Sequence, residues 1–310
     1  MRIILFALLL ANTAIPQTRL LQNPILTFSS SNTIGTNING PSLIRVPLWV
    51  EKPLGRYYLY FAHHAGKFIR LAYANQLSGP WTVYEPGTLQ LNEVKTCHDH
   101  VASPDVHVDE TEKRIRMYFH CPVGDGGTEI GQQKTLVAFS TDGLRFIAKA
   151  DLLGPAYFRV FGWGGFYYAI ARAGVFFRSR DGVTAFEQGP TLFDEDTNLI
   201  LRHAALDLRD DQLSVYYSRI GDRPERILLS RIPLTPDWRK WAASPPVTVL
   251  GPKTGYEGAD LPIEASKPDE APGRVRQVRD PGIFHEGQKT YLLYSIAGES
   301  GIAIAELRPR

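Results

Sequence analysis

The chain has 310 residues, of which 44% are hydrophobic and 21% charged, so it can bury a sizeable core and does not belong to the disordered class. Its 34 basic and 32 acidic residues are well mixed and leave a net charge of +2. This balance argues against nucleic acid or an anionic membrane as the partner. Recognition must therefore depend on a local site.

The N-terminus has the pattern of a secretory signal peptide. Met1 and Arg2 precede an apolar run from Ile3 to Leu10, which is too short to span a bilayer. We therefore expect residues 1–17 to be a signal peptide and the mature protein to be periplasmic or secreted. We predict that residues 18–310 form a single domain without a membrane span.

The only two cysteines, Cys97 and Cys121, flank a predicted hairpin. In an oxidising compartment they could pair. Simple strand register does not place them opposite each other, so the sequence leaves a disulfide and two free thiols as alternatives.

One pattern occurs five times along the chain. Each copy is a β-type run, a turn rich in Gly, Asp or Glu, and a second run ending in aromatic residues, which predicts a hairpin. The copies are GPSLIRVPLWVEKPLGRYYLYFA (40–62), SPDVHVDETEKRIRMYFH (103–120), GPAYFRVFGWGGFYYAIA (154–171), AALDLRDDQLSVYYS (204–218) and DPGIFHEGQKTYLLYS (280–295).

A third short run follows each hairpin, and Asp-Gly turns lead into a fourth run in the second and third copies. Four-stranded antiparallel units without helical periodicity, repeated roughly every 50 residues, predict an all-β, five-bladed β-propeller. The fifth copy ends after its third strand, whereas NPILTF (23–28) resembles a fourth strand, GPTLF (189–193). We therefore predict that the N-terminal segment completes the last blade and closes the ring.

Two motifs give the chain a family resemblance. ASPDVHVD (102–109) resembles the second-blade strand of glycoside hydrolase family 43, the arabinanase and xylosidase type, and LAYANQLSGPWTVYE (71–85) resembles that family's Gly-Pro-Trp segment at the end of the first blade. Families 32, 68 and 117 share the architecture. The resemblance implies inverting hydrolysis of furanosides or xylosides, with an oligo- or polysaccharide as the substrate. It implies no cofactor beyond a calcium ion that some relatives hold on the propeller axis.

The resemblance also implies a catalytic set that this sequence matches only in part. Family 43 uses an Asp base, an Asp that tunes the pKa of the acid, and a Glu acid. By position, Asp105 matches the tuning Asp. The other two carboxylates are missing, because Asn39 and Gly40 precede the first-blade proline and Leu-Gly-Pro (153–155) occupies the place of the acid.

Carboxylates reappear in the long connection into the fifth blade, residues 255–284. Asp280 directly precedes Pro281, as the family's base precedes its first-blade proline. We therefore take Asp105, Asp280 and Glu257 as the candidate catalytic residues, without assigned roles. The alternative is structural: Asp280 as a turn cap and Glu257 as a loop carboxylate.

Cations and polar groups, including His63 and His64, are predicted to ring the opening where the inner strands begin. Planar guanidinium groups favour carboxylate, sulfate or phosphate, so we expect a polyhydroxylated, acidic saccharide. Tyr157 and Tyr256 are candidate stacking residues. The predicted substrate-binding residues are Asn39, His100, His120, Arg159, Arg172, His203, Arg219 and Asp260.

The segment from Cys97 to His100 contains two histidines, but it lacks metal-ligand spacing, so we predict no metal site there. The function predicted from the sequence is a monomeric glycoside hydrolase-like protein. The alternative is a carbohydrate-binding propeller that has lost the family 43 catalytic residues. An interaction scaffold for protein partners would instead require exposed apolar patches.

Overall fold

The computed structural model describes residues 16–124, 127, 130–193 and 199–308. Nearly all of the predicted signal peptide lies outside the described residues. Two short N-terminal strands, β1 (Gln17–Arg19) and β2 (Leu26–Thr27), come first in the described chain.

The five sheets of the fold then follow one another along the chain, each antiparallel and each with its strands hydrogen-bonded in sequence order. The first blade comprises β3 (Asn39–Arg45), β4 (Tyr57–Ala62), β5 (Arg70–Ala74) and β6 (Thr82–Val83). The second blade comprises β7 (Ala102–Asp109), β8 (Arg114–Pro122), β9 (Gln133–Ser140) and β10 (Ile147–Ala148), and β11 (Gly154–Pro155) also pairs with β9. The third blade comprises β12 (Arg159–Trp163), β13 (Phe166–Ile170), β14 (Val175–Ser179) and β15 (Glu187–Thr191). The fourth blade comprises β16 (Ile200–Arg209), β17 (Gln212–Ile220), β18 (Ile227–Pro233) and β19 (Val247–Leu250), and the fifth comprises β20 (Arg279–Glu286), β21 (Lys289–Ser295) and β22 (Gly301–Leu307).

Helical structure in the described chain consists of single 3₁₀ turns. They are Phe28–Ser30, Leu91–Glu93, Ile130–Gln132, Arg172–Gly174, Trp238–Lys240 and Gly255–Glu257. Among the described residues, no helix has the length and apolar character needed to cross a bilayer. The predicted five-bladed, four-stranded β-propeller is confirmed.

The ring closes as predicted, with the N-terminal segment as the fourth strand of the last blade. Both β1 and β2 pair antiparallel with β22, with Gln17 opposite Leu307 and Leu26 opposite Ile302. Between them, the Asn23 side chain donates to the carbonyl of Ile304 at 2.7 Å and accepts from its amide at 2.9 Å. This pairing leaves β22 without an open edge.

The core lies between neighbouring blades. Between the first two blades, for example, Tyr58, Tyr60, Met117, Phe119 and Phe146 are almost fully buried against one another. The first strand of each blade lies innermost, so the starts of the five inner strands meet around one axis.

Four inner strands share a break in register near their starts. The shifts fall between Asn39 and Ser42, Ala102 and Asp105, Leu201 and Ala204, and Arg279 and Gly282. A β-bulge interrupts the alternation of side chains and redirects them. Each bulge therefore separates residues that face one end of the axis from residues that face the other.

Candidate functional site

A pocket of about 450 Å³ opens on the axis at the end where the inner strands begin. Polar side chains from the first four blades line it. The principal ones are Asn39, His64, His100, His120, Tyr157, Arg172, Arg202 and His203. We call this the axial pocket. It contains five of the eight residues predicted to bind substrate: Asn39, His100, His120, Arg172 and His203.

Asp280 lies beneath the axial pocket and is almost fully buried. Its carboxylate accepts a hydrogen bond from Nδ1 of His203. Although burial opposes ionisation, the imidazole of His203 and the guanidinium of Arg279 hold the pKa of Asp280 well below its ordinary value. Burial lowers the pKa of His203, so near neutral pH the pair consists of a carboxylate and a neutral imidazole.

Tyr157 lies between two histidines at the axial pocket. Its ring centroid is 4.2 Å from that of His120 and 4.2 Å from that of His203. The predicted role as a stacking platform is therefore not supported, because imidazoles already flank the ring. Its backbone has φ of +69°, which a bulky side chain rarely adopts and which costs about 1–3 kcal/mol. Burial raises the pKa of Tyr157 to about 12, so the hydroxyl stays protonated.

The two arginines of the axial pocket differ in their partners. The guanidinium of Arg202 already has hydrogen-bond partners within the protein. Its Nε donates to Glu225 at 2.9 Å, and its other nitrogens donate to the carbonyls of Lys267 and Asp269. Arg172 is partly buried, and its guanidinium has no hydrogen-bond or ion-pair partner among the described residues. Arg172 is thus available for an anionic ligand.

A buried network of charged side chains lies beneath the axial pocket and holds its lining residues in place. Arg279 donates to Glu299 at 3.0 Å and lies 3.3 Å from Glu225, which holds Arg202. Glu299 also accepts from Asn37 and lies 3.3 Å from Nε2 of His64. Although burial opposes ionisation, the hydrogen bond from His64 and the charges around it lower the pKa of Glu299 to about 2.

Asp105 faces the other end of the axis. It lies beyond the bulge of β7 and lines a second cavity of about 170 Å³, together with Arg159 and Pro281. Its carboxylate accepts from the amide of Val160 at 2.8 Å and lies 2.9 Å from Nε2 of His107. Asp105 and Asp280 therefore do not face each other across one pocket, contrary to the expectation from the family.

Glu257 is not part of either cavity. Its fully buried carboxylate accepts from Arg19 at 2.6 and 3.0 Å, from the amides of Lys253 and Thr254, and from the Tyr294 hydroxyl. The bonds from Arg19 and Tyr294 tie the connection into the fifth blade to the N-terminal segment and to β21, and those from Lys253 and Thr254 are local. The catalytic role predicted for Glu257 is thus replaced by a structural one.

Three further predicted binding residues also lie elsewhere. Arg219 lines a separate crevice on the fourth blade and pairs with Asp222 at 2.9 Å. Asp260 is exposed on the connection into the fifth blade. Arg159 lies beneath the axial pocket, where it donates to the carbonyls of Ser103, Phe158 and Ala204 at 3.1–3.2 Å.

The position of Arg159 bears on the calcium ion that the family resemblance implies. Its buried guanidinium ties three blades together near the axis, and a fixed positive charge there repels a cation. Within the described ranges, no group of three or more His, Cys, Asp or Glu side chains is arranged to hold a metal. The residues at the axis therefore do not fit a calcium ion.

Cys97 and Cys121 form a disulfide, with their Cα atoms 5.6 Å apart. This resolves the alternatives left by the sequence. The bond attaches the loop before β7 to the end of β8, and this loop carries Asp99 and His100 to the pocket.

No family model matches the chain. An uncharacterized protein of Acanthamoeba polyphaga mimivirus is 38% identical over 321 residues, which cover 94% of this chain and 89% of that protein. The chain belongs to the family of this viral protein.

Solved structures share the fold at much lower sequence identity. The GH43_1 enzyme of Xanthomonas citri, solved with xylose, is 13% identical with a TM-score of 0.61, and the match covers 95% of this chain and 91% of that enzyme. A glycosyl hydrolase of Bacteroides ovatus is 11% identical with a TM-score of 0.65, over 96% of this chain and 95% of that protein. These likenesses show that the chain has the five-bladed propeller fold of the GH43_1 enzyme.

Tyr157, predicted as a stacking residue, and His64, predicted on the ring around the opening, both line the pocket, and so does Arg202, which was not predicted. The signal for His64 was its position just after the end of β4, which corresponds to that of His120 near the end of β8 in the next blade. Arg202 directly precedes His203, and no other feature of the sequence indicated that it would line the pocket.

Proposed function

We propose that this protein binds a polyhydroxylated, acidic saccharide in the axial pocket and acts on it as a glycosidase. Arg172 carries the proposal, since its guanidinium lines the pocket and is unpaired within the described chain. An unpaired guanidinium is a strong donor to carboxylate or sulfate oxygens. The glycoside hydrolase fold of the chain supports a sugar as the rest of the ligand.

Three carboxylate side chains, Asp99, Asp269 and Glu270, also line the pocket, and two of its histidines suit hydroxyl groups. His120 and His203 each have one buried ring nitrogen without a hydrogen-bond partner among the described residues. Burial and the positive charges around His120 lower its pKa well below the ordinary value, so its ring is neutral and can donate or accept. Such groups provide hydrogen bonds to a sugar without adding charge.

We also propose that the protein is a monomer that works in the periplasm or outside the cell. The disulfide between Cys97 and Cys121 supports an oxidising compartment. Fractionation of expressing cells, with size-exclusion chromatography of the purified protein, tests both parts.

Calorimetric titration tests the binding proposal, with oligogalacturonides, sulfated oligosaccharides and neutral xylo-oligosaccharides as ligands. We expect at least one acidic ligand to bind about tenfold or more tightly than the neutral ones, with a difference that shrinks as salt rises. Equal or tighter binding of the neutral sugars would reject the proposal of an acidic ligand.

The alternative function is binding without hydrolysis. It is favoured by the separation of Asp105 from Asp280, since two-carboxylate hydrolysis requires both groups at one glycosidic bond. Incubation of the same ligands with the protein, followed by reducing-end assays, distinguishes the two functions. Tight binding without new reducing ends would identify a binding protein.

A further inference from the structure

Asp280, His203 and Tyr157 form a chain of contacts that leads from the buried interior to the axial pocket. Asp280 accepts from Nδ1 of His203, and the His203 ring lies 4.2 Å, between centroids, from the ring of Tyr157. Nε2 of His203 is buried and has no hydrogen-bond partner in the described chain. A carboxylate that orients an imidazole is one half of the arrangement that activates nucleophiles in enzymes, and here the Tyr157 ring packs against that imidazole.

Of these three residues, Tyr157 is the most exposed at the axial pocket. It lines the axial pocket, is partly exposed, and its hydroxyl has no hydrogen-bond partner among the described residues. Its φ of +69° is unfavourable for a bulky residue. Such backbone strain is concentrated at functional sites, where the surrounding structure maintains it.

We propose that Tyr157 is the nucleophile of a retaining glycosidase, with His203 as its base and Asp280 as a positioning residue. The substrate class is the glycosides of anionic sugars, whose acidic group binds Arg172. This inference rests on the proposed function, because it requires that the axial pocket take an acidic sugar. Glycosidases that use a tyrosine nucleophile are known in other families.

The charge of the substrate explains why a phenol would serve better than a carboxylate. A sugar that carries an acidic group repels an incoming carboxylate nucleophile. A phenol is neutral until its proton leaves, and Tyr157 stays protonated because burial raises its pKa to about 12. His203, whose pKa is lowered by burial, is neutral and can accept that proton.

The reaction balances in two steps. In the first, the Tyr157 oxygen bonds to the anomeric carbon, its proton passes to Nε2 of His203, and the glycosidic bond breaks with its electron pair on the leaving oxygen. That oxygen takes a proton from a water molecule at the pocket mouth. In the second, the resulting hydroxide attacks the anomeric carbon, the bond to Tyr157 breaks, and the His203 imidazolium returns the proton to Tyr157.

Two inversions at the anomeric carbon give overall retention and a covalent intermediate, and both can be measured. The substrates are aryl glycosides of glucuronic acid, galacturonic acid and N-acetylneuraminic acid, with aryl glucoside as the neutral control. Nuclear magnetic resonance reports the anomer released first. Fluorinated glycosyl fluorides of the same three acids trap the intermediate, which peptide mass spectrometry then locates.

We expect retention of configuration and one glycosyl adduct on the peptide that contains Tyr157. Tyr157→Phe should lose the adduct and at least about 100-fold of the turnover, while its affinity for acidic saccharides changes less than about threefold. Tyr256→Phe is the matched control, because Tyr256 lies outside the axial pocket, where its hydroxyl accepts from Asn23 at 3.5 Å. This control should hydrolyse and label like the wild type.

Inversion of configuration, an adduct on another residue, or full turnover by Tyr157→Phe would each overturn the inference. Wild-type protein that binds acidic saccharides but neither hydrolyses these glycosides nor becomes labelled would also overturn it, while leaving acidic binding intact. Failure to bind any acidic saccharide would instead reject the proposed function itself.

Discussion

The carboxylate of Asp280 on β20 accepts a hydrogen bond from Nδ1 of His203 on β16, beneath the axial pocket. The two residues come from neighbouring blades and are separated by 77 positions in the chain. This contact fixes Nε2 of His203 as the nitrogen that carries the free electron pair. The protonation of His203 should therefore control any proton transfer in the pocket.

The first prediction concerns the pH dependence of turnover. Because the base is neutral His203, activity should fall as pH drops through its pKa, which burial places below the ordinary 6.5. The charge of Asp280 raises the pKa of His203. Asp280→Asn should therefore reduce the rate and move the acid limb of kcat to lower pH. An acid limb that moves to higher pH would contradict the assigned pair.

The second prediction concerns Arg172. Arg172→Gln should weaken the binding of acidic saccharides about 10- to 100-fold, because charge-assisted hydrogen bonds contribute about 1.5–3 kcal/mol. The affinity for neutral sugars should stay the same. Arg219→Gln is the control, since Arg219 pairs with Asp222 outside the axial pocket. Calorimetry at two salt concentrations makes the comparison, and equal losses in both variants would count against Arg172 as the anion site.

The third prediction is that Glu257 stabilises the fold and does not contribute to ligand binding. Glu257→Gln should lower the free energy of unfolding by about 3 kcal/mol, because it removes the charge that pairs with Arg19 in a buried setting. Ligand affinity should not change, because Glu257 lines neither cavity. Denaturant unfolding measures the loss, and Asp260→Asn, at an exposed position, should change stability by less than about 0.5 kcal/mol.

The fourth prediction concerns acid stability. The pKa of Glu299 is lowered to about 2 in the folded protein, against 4.5 for the ordinary group. A depressed pKa gives stabilisation that is present above the unfolded value and is lost as pH falls from about 4.5 toward 2. The loss should be about 3 kcal/mol. Glu299→Gln should be less stable at neutral pH and should show a flatter acid limb in unfolding experiments.

The fifth prediction concerns the disulfide. Cys97→Ser with Cys121→Ser should cost about 3 kcal/mol of unfolding free energy, because the bond closes a loop between residues 24 positions apart. It should also weaken ligand binding, since the loop before β7 carries Asp99 and His100 to the pocket. Reductant should have the same effect on the wild type and none on the double variant.

The hairpins were predictable because strand alternation and turn residues are local signals. The runs at 40–62 and 103–120 became β3 with β4 and β7 with β8. The completion of the last blade was equally predictable, because NPILTF (23–28) near the N-terminus resembles the fourth strand of the third blade. Only the shortest strands, such as β10 with its two residues, differ much from the predicted lengths.

The site was harder to predict, because bulges break the alternation of side chains. Ser103 and Asp280 each precede a proline and adopt φ of +51° at a bulge, which turns the next residues toward the other end of the axis. The position of Asp105 on the strand was therefore correct, but its direction was not. Glu257 depends on Arg19, 238 positions away, and no local pattern indicates that pair.

The pairing of β1 and β2 with β22 has a consequence for biosynthesis. Gln17 meets Leu307, so the earliest strand finds its partner in the latest one. During translation, four blades can assemble before β22 is available to pair with β1 and β2. Closure of the propeller is then a late step that joins distant parts of the chain, and contacts of such sequence separation form slowly. A nascent chain halted before residue 301 would expose an unsatisfied strand edge to chaperones and to its neighbours.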